Sequence, residues 1–189
     1  DITLSEGERV DPGRQGSVKK RIPMMSSDLN AMAYGAFVAE RTLEMMPEDE
    51  PQEAVYDWLL NILAACGEKN PRIVALAAGW QLLPLAGVGP KYDVCAHCRT
   101  AIEGNAFFDA AEGGALCPVC AESIQHKRPY PEAVRGFLQL LAELDFGNPP
   151  SFHVKKDELL GAESLLLYTI DELIGKRLKS VSFLSQMGI

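Results

Sequence analysis

Cys95-Ala-His-Cys98 and Cys117-Pro-Val-Cys120 decide how this chain is read, with residues 99 to 116 between them. Two Cys-x-x-Cys pairs at this separation have the spacing of a tetrahedral zinc site. Two residues between cysteines let one tight turn aim both sulfurs at a single point, and zinc closed off from water takes four such donors. The intervening loop can fold back on itself: Gly104, Asn105, Gly113 and Gly114 are turn residues, and Phe107-Phe108 favour a strand. Two disulfides would use the same cysteines, but no secretory leader pattern opens the chain and no other framework cysteines accompany them. A redox Cys-x-x-Cys usually occurs singly. The expected cofactor is therefore Zn2+, held by Cys95, Cys98, Cys117 and Cys120 in a structural site with no open position for water. His97 lies between two ligands and is expected to point away from the metal. Zinc binding strips the thiols of their protons; four thiolates and one dication carry the formal charge from −8 to about −10.

On either side of the cysteine pairs the chain reads as helix. Ser26, Ser27 or Asp28 caps a first helix with Leu29, Met32, Ala33, Ala36, Phe37, Glu40 and Leu43 at three- and four-residue steps, ended by Pro47. The acidic connector Glu48-Asp49-Glu50-Pro51 leads into a second, with Val55, Trp58, Leu59, Ile62 and Leu63 on one side and Gly67 as its expected stop. Asn70-Pro71 reads as cap and first residue of a third helix. Its apolar face is Ile73, Val74, Ala77, Trp80 and Leu83, and Gly87-Val88-Gly89-Pro90 stops it. Short connections predict antiparallel neighbours in a bundle. The cysteine loop is inserted next, at about 91–127. His126-Lys127-Arg128 follows, then Pro129-Tyr130-Pro131, where Pro131 opens a helix with Val134, Phe137, Leu138, Leu141 and Leu144. After the break at Gly147-Asn148-Pro149-Pro150 a last helix carries Leu159, Leu160, Leu166, Leu167, Ile170, Leu173 and Ile174, interrupted by Gly175. Strand is expected only in the inserted loop and at the N-terminal edge, where Ile2-Thr3-Leu4 ends a strand and Gly7, Pro12, Gly13 and Gly16 break periodicity. The fold class is mainly α: a helical bundle with an inserted four-cysteine zinc-ribbon-like loop.

The 189 residues suffice for one domain plus a small insert, and no apolar run is long enough to cross a bilayer. Five cysteines, with Cys66 left over on an apolar helical pattern, fit a reducing compartment, where Cys66 is an inert buried thiol. A net charge of −8 argues against a generic polyanion binder, so any nucleic-acid contact must be local. The candidate basic groups are Lys19-Lys20-Arg21, then Lys91, Arg99, Lys127 and Arg128 around the insert, and Lys176, Arg177 and Lys179 in the tail. An acidic, apolar partner peptide would find Leu178 and Phe183 beside the tail cations. No Ser/His/Asp order, phosphate-binding glycine loop or metal-spaced histidine pair points to an enzyme; His126 and His153 stand alone. Asp1 is not an initiator methionine, and the chain is expected to be part of a longer protein.

Helices, a four-cysteine pair and helices again, ending in Gly175-Lys176-Arg177-Leu178-Lys179-Ser180-Val181-Ser182-Phe183-Leu184, resemble the helical, zinc-bearing region of RecO, the bacterial recombination-mediator family. Asp28-Leu29-Asn30-Ala31-Met32-Ala33-Tyr34 resembles the start of that family's helical domain. Leu82-Leu83-Pro84-Leu85-Ala86-Gly87-Val88-Gly89-Pro90 resembles the approach to its first cysteine pair, and Glu112-Gly113-Gly114-Ala115-Leu116-Cys117 the approach to its second. The resemblance implies a non-catalytic role in DNA repair and recombination, in the bacterial cytoplasm and nucleoid. It implies binding and annealing of single- and double-stranded DNA, and help in loading recombinase onto strands coated with single-strand-binding protein. The implied partners are RecR and the C-terminal tail of the single-strand-binding protein. The family usually opens with an OB-fold; residues 1–25 would hold only its remnant or a linker, and 26–189 the helical domain with its zinc-finger insert. The alternative is a zinc-ribbon adaptor that binds protein and no nucleic acid.

Overall fold

The computed structural model describes residues 2–4, 13–16, 28–47, 52–147 and 151–175. Two short strands come first, β1 (Ile2–Leu4) and β2 (Gly13–Gly16), paired antiparallel. The glycines expected only to break periodicity thus bound a paired strand, which needs no side-chain pattern when the backbone supplies the ladder.

Helix α1 (Leu29–Met45) starts at Asp28, whose carboxylate accepts from Asn30 N at 2.8 Å. Helix α2 (Glu53–Glu68) runs through Gly67, the expected stop, and ends at Lys69. Helix α3 (Pro71–Leu85) begins as the sequence indicates, with Asn70 Oδ1 accepting from Arg72 N (3.1 Å) and Ile73 N (3.4 Å) ahead of Pro71. It ends in a left-handed Gly87 at φ +76°, where Val88 N reaches Leu83 O at 2.9 Å.

α3 is the hub, and it is buried all round rather than on one face. Val74, Ala75 and Ala78 pack with Tyr34, Phe37 and Val38 of α1 and Ile62, Ala65 and Cys66 of α2. Leu76, Ala77, Trp80 and Leu83 turn the other way, into a second cluster shared with the insert and the last two helices. A helix apolar on every side is one enclosed by neighbours. Gly79 is where α6 comes closest: a Cβ there would collide with the Leu166 side chain.

The insert folds as β3 (Ala106–Asp109), β4 (Gly114–Leu116), the single turn α4 (Pro118–Ala121) and β5 (Arg128–Tyr130). The sheet order is β4-β3-β5, both pairs antiparallel. Phe107-Phe108 lies in a strand as read; β5, at a Pro-flanked stretch that gave no strand signal, is an edge strand, where proline is tolerated. Helix α5 (Glu132–Ala142) follows Pro131 and buries Val134, Phe137, Leu138 and Leu141. Helix α6 (Lys156–Ile174) closes the second cluster with Ala162, Leu165, Leu166 and Ile170, and stops at Gly175, φ +68°.

The apolar face of α1 matches the expected one only in part, with Ala33 and Phe37 buried as read. Leu29, Met32, Ala36 and Leu43 are exposed, whereas Ala31, Tyr34, Gly35, Val38 and Thr42 are buried. Ala31, Gly35 and Thr42 on the buried side carry little apolar bulk, so hydrophobic periodicity does not mark that face.

Candidate metal centre

The four sulfurs of Cys95, Cys98, Cys117 and Cys120 all lie within 4.8 Å of one another, with Cys98 Sγ and Cys117 Sγ at 3.8 Å. Bonds of about 2.3 Å to a tetrahedral zinc set a sulfur–sulfur edge of about 3.8 Å, the length of the Cys98–Cys117 edge. All four are free thiols. Cys95 is fully buried, Cys98 exposed, and Cys117 and Cys120 half-buried.

Local chain geometry explains the convergence. In the first pair Cys95 O accepts from Arg99 N (3.0 Å) and Cys95 N donates to Thr100 O (2.8 Å). Arg99 takes φ +63° to close that turn. In the second pair Cys117 precedes α4, and its sulfur accepts from Cys120 N at 3.5 Å. The two turns are held in register by backbone: Lys91 N donates to Gly113 O (2.9 Å), Ala115 N to Lys91 O (2.8 Å), and Ala96 N to Ala115 O (2.8 Å).

Proton affinities show why the set suits a cation. The Thr100 hydroxyl is the main cause that draws the Cys98 thiol down to about 6, while Cys117 is the main cause that pushes Cys120 up to about 12. Four sulfurs this close cannot all shed protons unless a positive charge replaces them. His97 points away, as expected, and Nε2 meets Glu112 Oε2 at 2.6 Å.

The centre is mounted on the bundle through contacts that the spacing of the cysteines does not reveal. Asp109, almost fully buried, accepts from Glu112 N (3.1 Å) within its turn and from the Tyr168 hydroxyl of α6 (3.2 Å). An Asp opening the turn Asp109-Ala-Ala-Glu112 was the available signal, since Asp side chains organise such turns. Arg135 of α5 donates to Gly104 O at 2.8 Å. Trp80, Tyr92, Phe108 and Tyr130 form a chain of edge-on rings with centroids 5.6–6.3 Å apart, joining α3 to the sheet.

Of the candidate basic groups, Lys127 is half-buried, donates to Ile124 O (2.7 Å) and lies 5.4 Å from the centroid of Phe107. Arg128 is exposed, with its guanidinium 4.9 Å over the Tyr168 ring. Lys91 and Arg99 are exposed on the first pair's side of the insert. Lys19, Lys20, Arg21, Lys176, Arg177 and Lys179 lie outside the described residues.

The family model described as recombination protein O C terminal matches residues 26–182. The chain belongs to the RecO C-terminal family. Several proteins named DNA repair protein RecO are similar to it. That of Shouchella clausii is 27% identical over 186 residues, covering 98% of this chain and 69% of the relative. That of Anaeromyxobacter dehalogenans is 30% identical over 175 residues, covering 91% and 68%. That of Bacillus cytotoxicus is 29% identical over 185 residues, covering 97% and 74%. Among the described residues of this RecO-family chain, no helix is long and apolar enough to cross a membrane.

Proposed function

We propose that this chain acts in DNA repair and homologous recombination as a non-catalytic mediator. It binds and anneals single- and double-stranded DNA and assists recombinase loading onto strands coated with single-strand-binding protein. The carrying observation is the family match over residues 26–182 around a cluster of four converging thiols. Zn2+ is the metal of this reading, because four thiolate donors at tetrahedral spacing suit it and leave no open position for catalysis. When bound, zinc closes the insert; Cys95, Cys98, Cys117 and Cys120 hold it. The helical body, 26–189 with the zinc finger at about 91–127, would fix where that insert points, and residues 1–25 would be a remnant of, or linker from, an N-terminal OB-fold.

DNA or partner contacts fall to Lys127 and Arg128 on the insert, to Lys19, Lys20 and Arg21, and to Lys176, Arg177 and Lys179. Arg128 supports the reading best: exposed, yet held by Tyr168 in one orientation. RecR and the single-strand-binding protein tail are the partners, in the cytoplasm and at the nucleoid. Binding of a labelled single strand, followed across salt, tests this. Each phosphate contact adds about 0.7 to the negative slope of log affinity against log salt. Arg128→Ala is expected to lower that slope by one contact, and zinc removal to slow annealing of coated strands. A chain that binds neither strand form at low salt would sink the reading.

One observation favours an adaptor that binds protein only: the net charge of −8, with Lys127 and Arg128, two of the four candidate cations at the insert, engaged on aromatic rings. An adaptor holds its protein partner at salt levels where no single strand binds.

A further inference from the structure

A groove opens between α2 and the turn that follows α5. Its volume is about 460 Å³, and its lining includes Trp58, Ile62 and Glu68 of α2, Gln81 of α3, and Asp145 and Phe146 beyond α5. That volume lies within the range of small-ligand pockets, about 300–1,000 Å³.

Gln81 ties the two walls together. Its Oε1 accepts from Trp58 Nε1 at 3.2 Å, and its Nε2 donates to Leu141 O at 3.1 Å and Leu144 O at 2.9 Å. The amide's donors are thereby spent, and so is the one donor of the indole. Trp58 is pinned through its N–H, and what remains for an occupant is ring surface. Phe146, half-buried like Trp58, adds a second ring. The charged groups of the lining are both carboxylates, Glu68 and Asp145, and both are exposed. Asp145 Oδ1 accepts from Gly147 N at 2.9 Å, which sets that carboxylate and leaves its second oxygen for an occupant. Among the described residues, no lysine, arginine or histidine lines the groove; Lys69 follows Glu68 in the chain but is not part of the lining. The helix ends add the same sign. α2 ends at the groove and α5 ends just before Leu144, and neither has a basic residue in its last turn. The C-terminal end of a helix carries a partial negative charge that favours a cation.

We propose that this groove receives an arginine side chain presented by a basic segment of a partner protein. A guanidinium is planar, stacks on an aromatic face and forks onto a carboxylate, whereas an ammonium is a compact, strongly hydrated charge. Trp58 supplies the face, Asp145 and Glu68 the carboxylates, and Phe146 covers the apolar stem. The net charge of −8 draws a basic segment from a distance. A groove of this sign repels phosphate, so its occupant is protein and not nucleic acid. No residue of the insert lines it, so the inference is independent of the metal centre and of the DNA contacts proposed above.

Two-dimensional NMR of the whole zinc-loaded chain tests it. The chain has two tryptophans, Trp58 in the groove and Trp80 fully buried outside its lining. Their indole N–H resonances are therefore reporter and control. The ligand used is a capped tripeptide with arginine between two leucines. It should shift the Trp58 resonance saturably and leave that of Trp80 in place. Citrulline in place of arginine keeps the shape and removes the charge, and should weaken binding about 10-fold. Glu68→Gln combined with Asp145→Asn should weaken it about 3–10-fold. The melting temperature should hold, because both side chains are exposed and Asn keeps an acceptor for Gly147 N. A Trp58 resonance unmoved at several millimolar peptide overturns the proposal. So does equal binding of the citrulline peptide, or equal binding by the double variant. Spermidine shifting Trp58 as strongly as the tripeptide overturns the assignment to arginine, and a single-stranded oligonucleotide doing so overturns the assignment to protein.

Discussion

Gly114→Ala tests whether backbone contact, rather than the cysteines alone, brings the two sulfur pairs together. Gly114 opens β4 at φ +127°, a conformation that side chains rarely adopt. A Cβ there would lie 2.6 Å from Lys91 N and closer still to Lys91 O. Backbone cannot swing aside as a side chain can, so the strand must shift. Shifting it breaks Lys91 N→Gly113 O and Ala115 N→Lys91 O, worth about 1 kcal/mol each. The positive φ adds about 1–3 kcal/mol of strain. The total is about 3–5 kcal/mol, and for a chain of this size each kcal/mol lowers the melting temperature by about 2–4 °C. A fall of about 10 °C is expected in saturating zinc, together with zinc affinity lowered about 10–100-fold, as measured against a chromogenic chelator. Gly87→Ala is the control. Its φ is +76°, but nothing lies within 4 Å of a new Cβ, so it carries the strain without the collision. If Gly114→Ala matches Gly87→Ala in both melting and zinc affinity, the contact with Lys91 does not align the pairs.

Three further outcomes are expected. Arg41 is fully buried with no hydrogen-bond partner for its guanidinium among the described residues, and its guanidinium lies 4.9 Å over the Phe37 ring; burial lowers its pKa to about 10, against the opposing pull of the Asp171, Glu40 and Glu44 carboxylates. Arg41→Met should be neutral or stabilising by up to about 2 kcal/mol in denaturant melts at pH 7, with the advantage shrinking as pH rises through about 10 and the folded wild type sheds its proton first. Asp109→Ala strands the Tyr168 hydroxyl and frees the turn, at a cost of about 2–3 kcal/mol by the same melts; an unchanged midpoint would remove Asp109 from the mounting of the insert. Burial pushes the Cys66 thiol up to about 12, above its ordinary 9.0, so the stability it gives is complete below about pH 9 and lost as pH rises through about 12. Cys66→Val should flatten that alkaline loss, and a thiol reagent at pH 8 should leave folded Cys66 unmodified.

The cysteine spacing made the centre legible, because four donors for one ion fix chain geometry whatever surrounds them. The caps at Asp28 and Asn70-Pro71 were equally plain, being local chemistry. What stayed hidden depended on neighbours. Gly67 does not stop α2, because a glycine needs a left-handed turn around it to act as one. β5 gave no signal, since its pairing partner lies 22 residues upstream at Phe107↔Pro129 and proline conceals an edge strand. On α1 the buried side mixes Tyr34, Phe37 and Val38 with Ala31 and Gly35, while Leu29, Met32 and Leu43 stay exposed, so apolar bulk alone does not mark the inner face. Asp109 to Tyr168 joins residues far apart in sequence, and no periodicity encodes such a bond.

The burial pattern gives the centre a larger role than a staple for a surface loop. Cys95 belongs to the same apolar cluster as Trp80, Phe108, Tyr130, Leu138 and Leu166, so one of the four converging thiols is part of the bundle's own core. The α1–α2 cluster packs on the other side of α3 and contains no residue of the insert. α3 thus carries two cores of different dependence. One is built from helix packing alone; the other includes the sheet that carries the four converging cysteines. The insert is tied to α5 through Arg135 and to α6 through Tyr168. Arg128 stacks on that same Tyr168, so the exposed cation with the best claim to a phosphate is oriented by the contact that anchors the insert. Tyr168 thus ties both Arg128 and, through Asp109, the turn of the insert to α6.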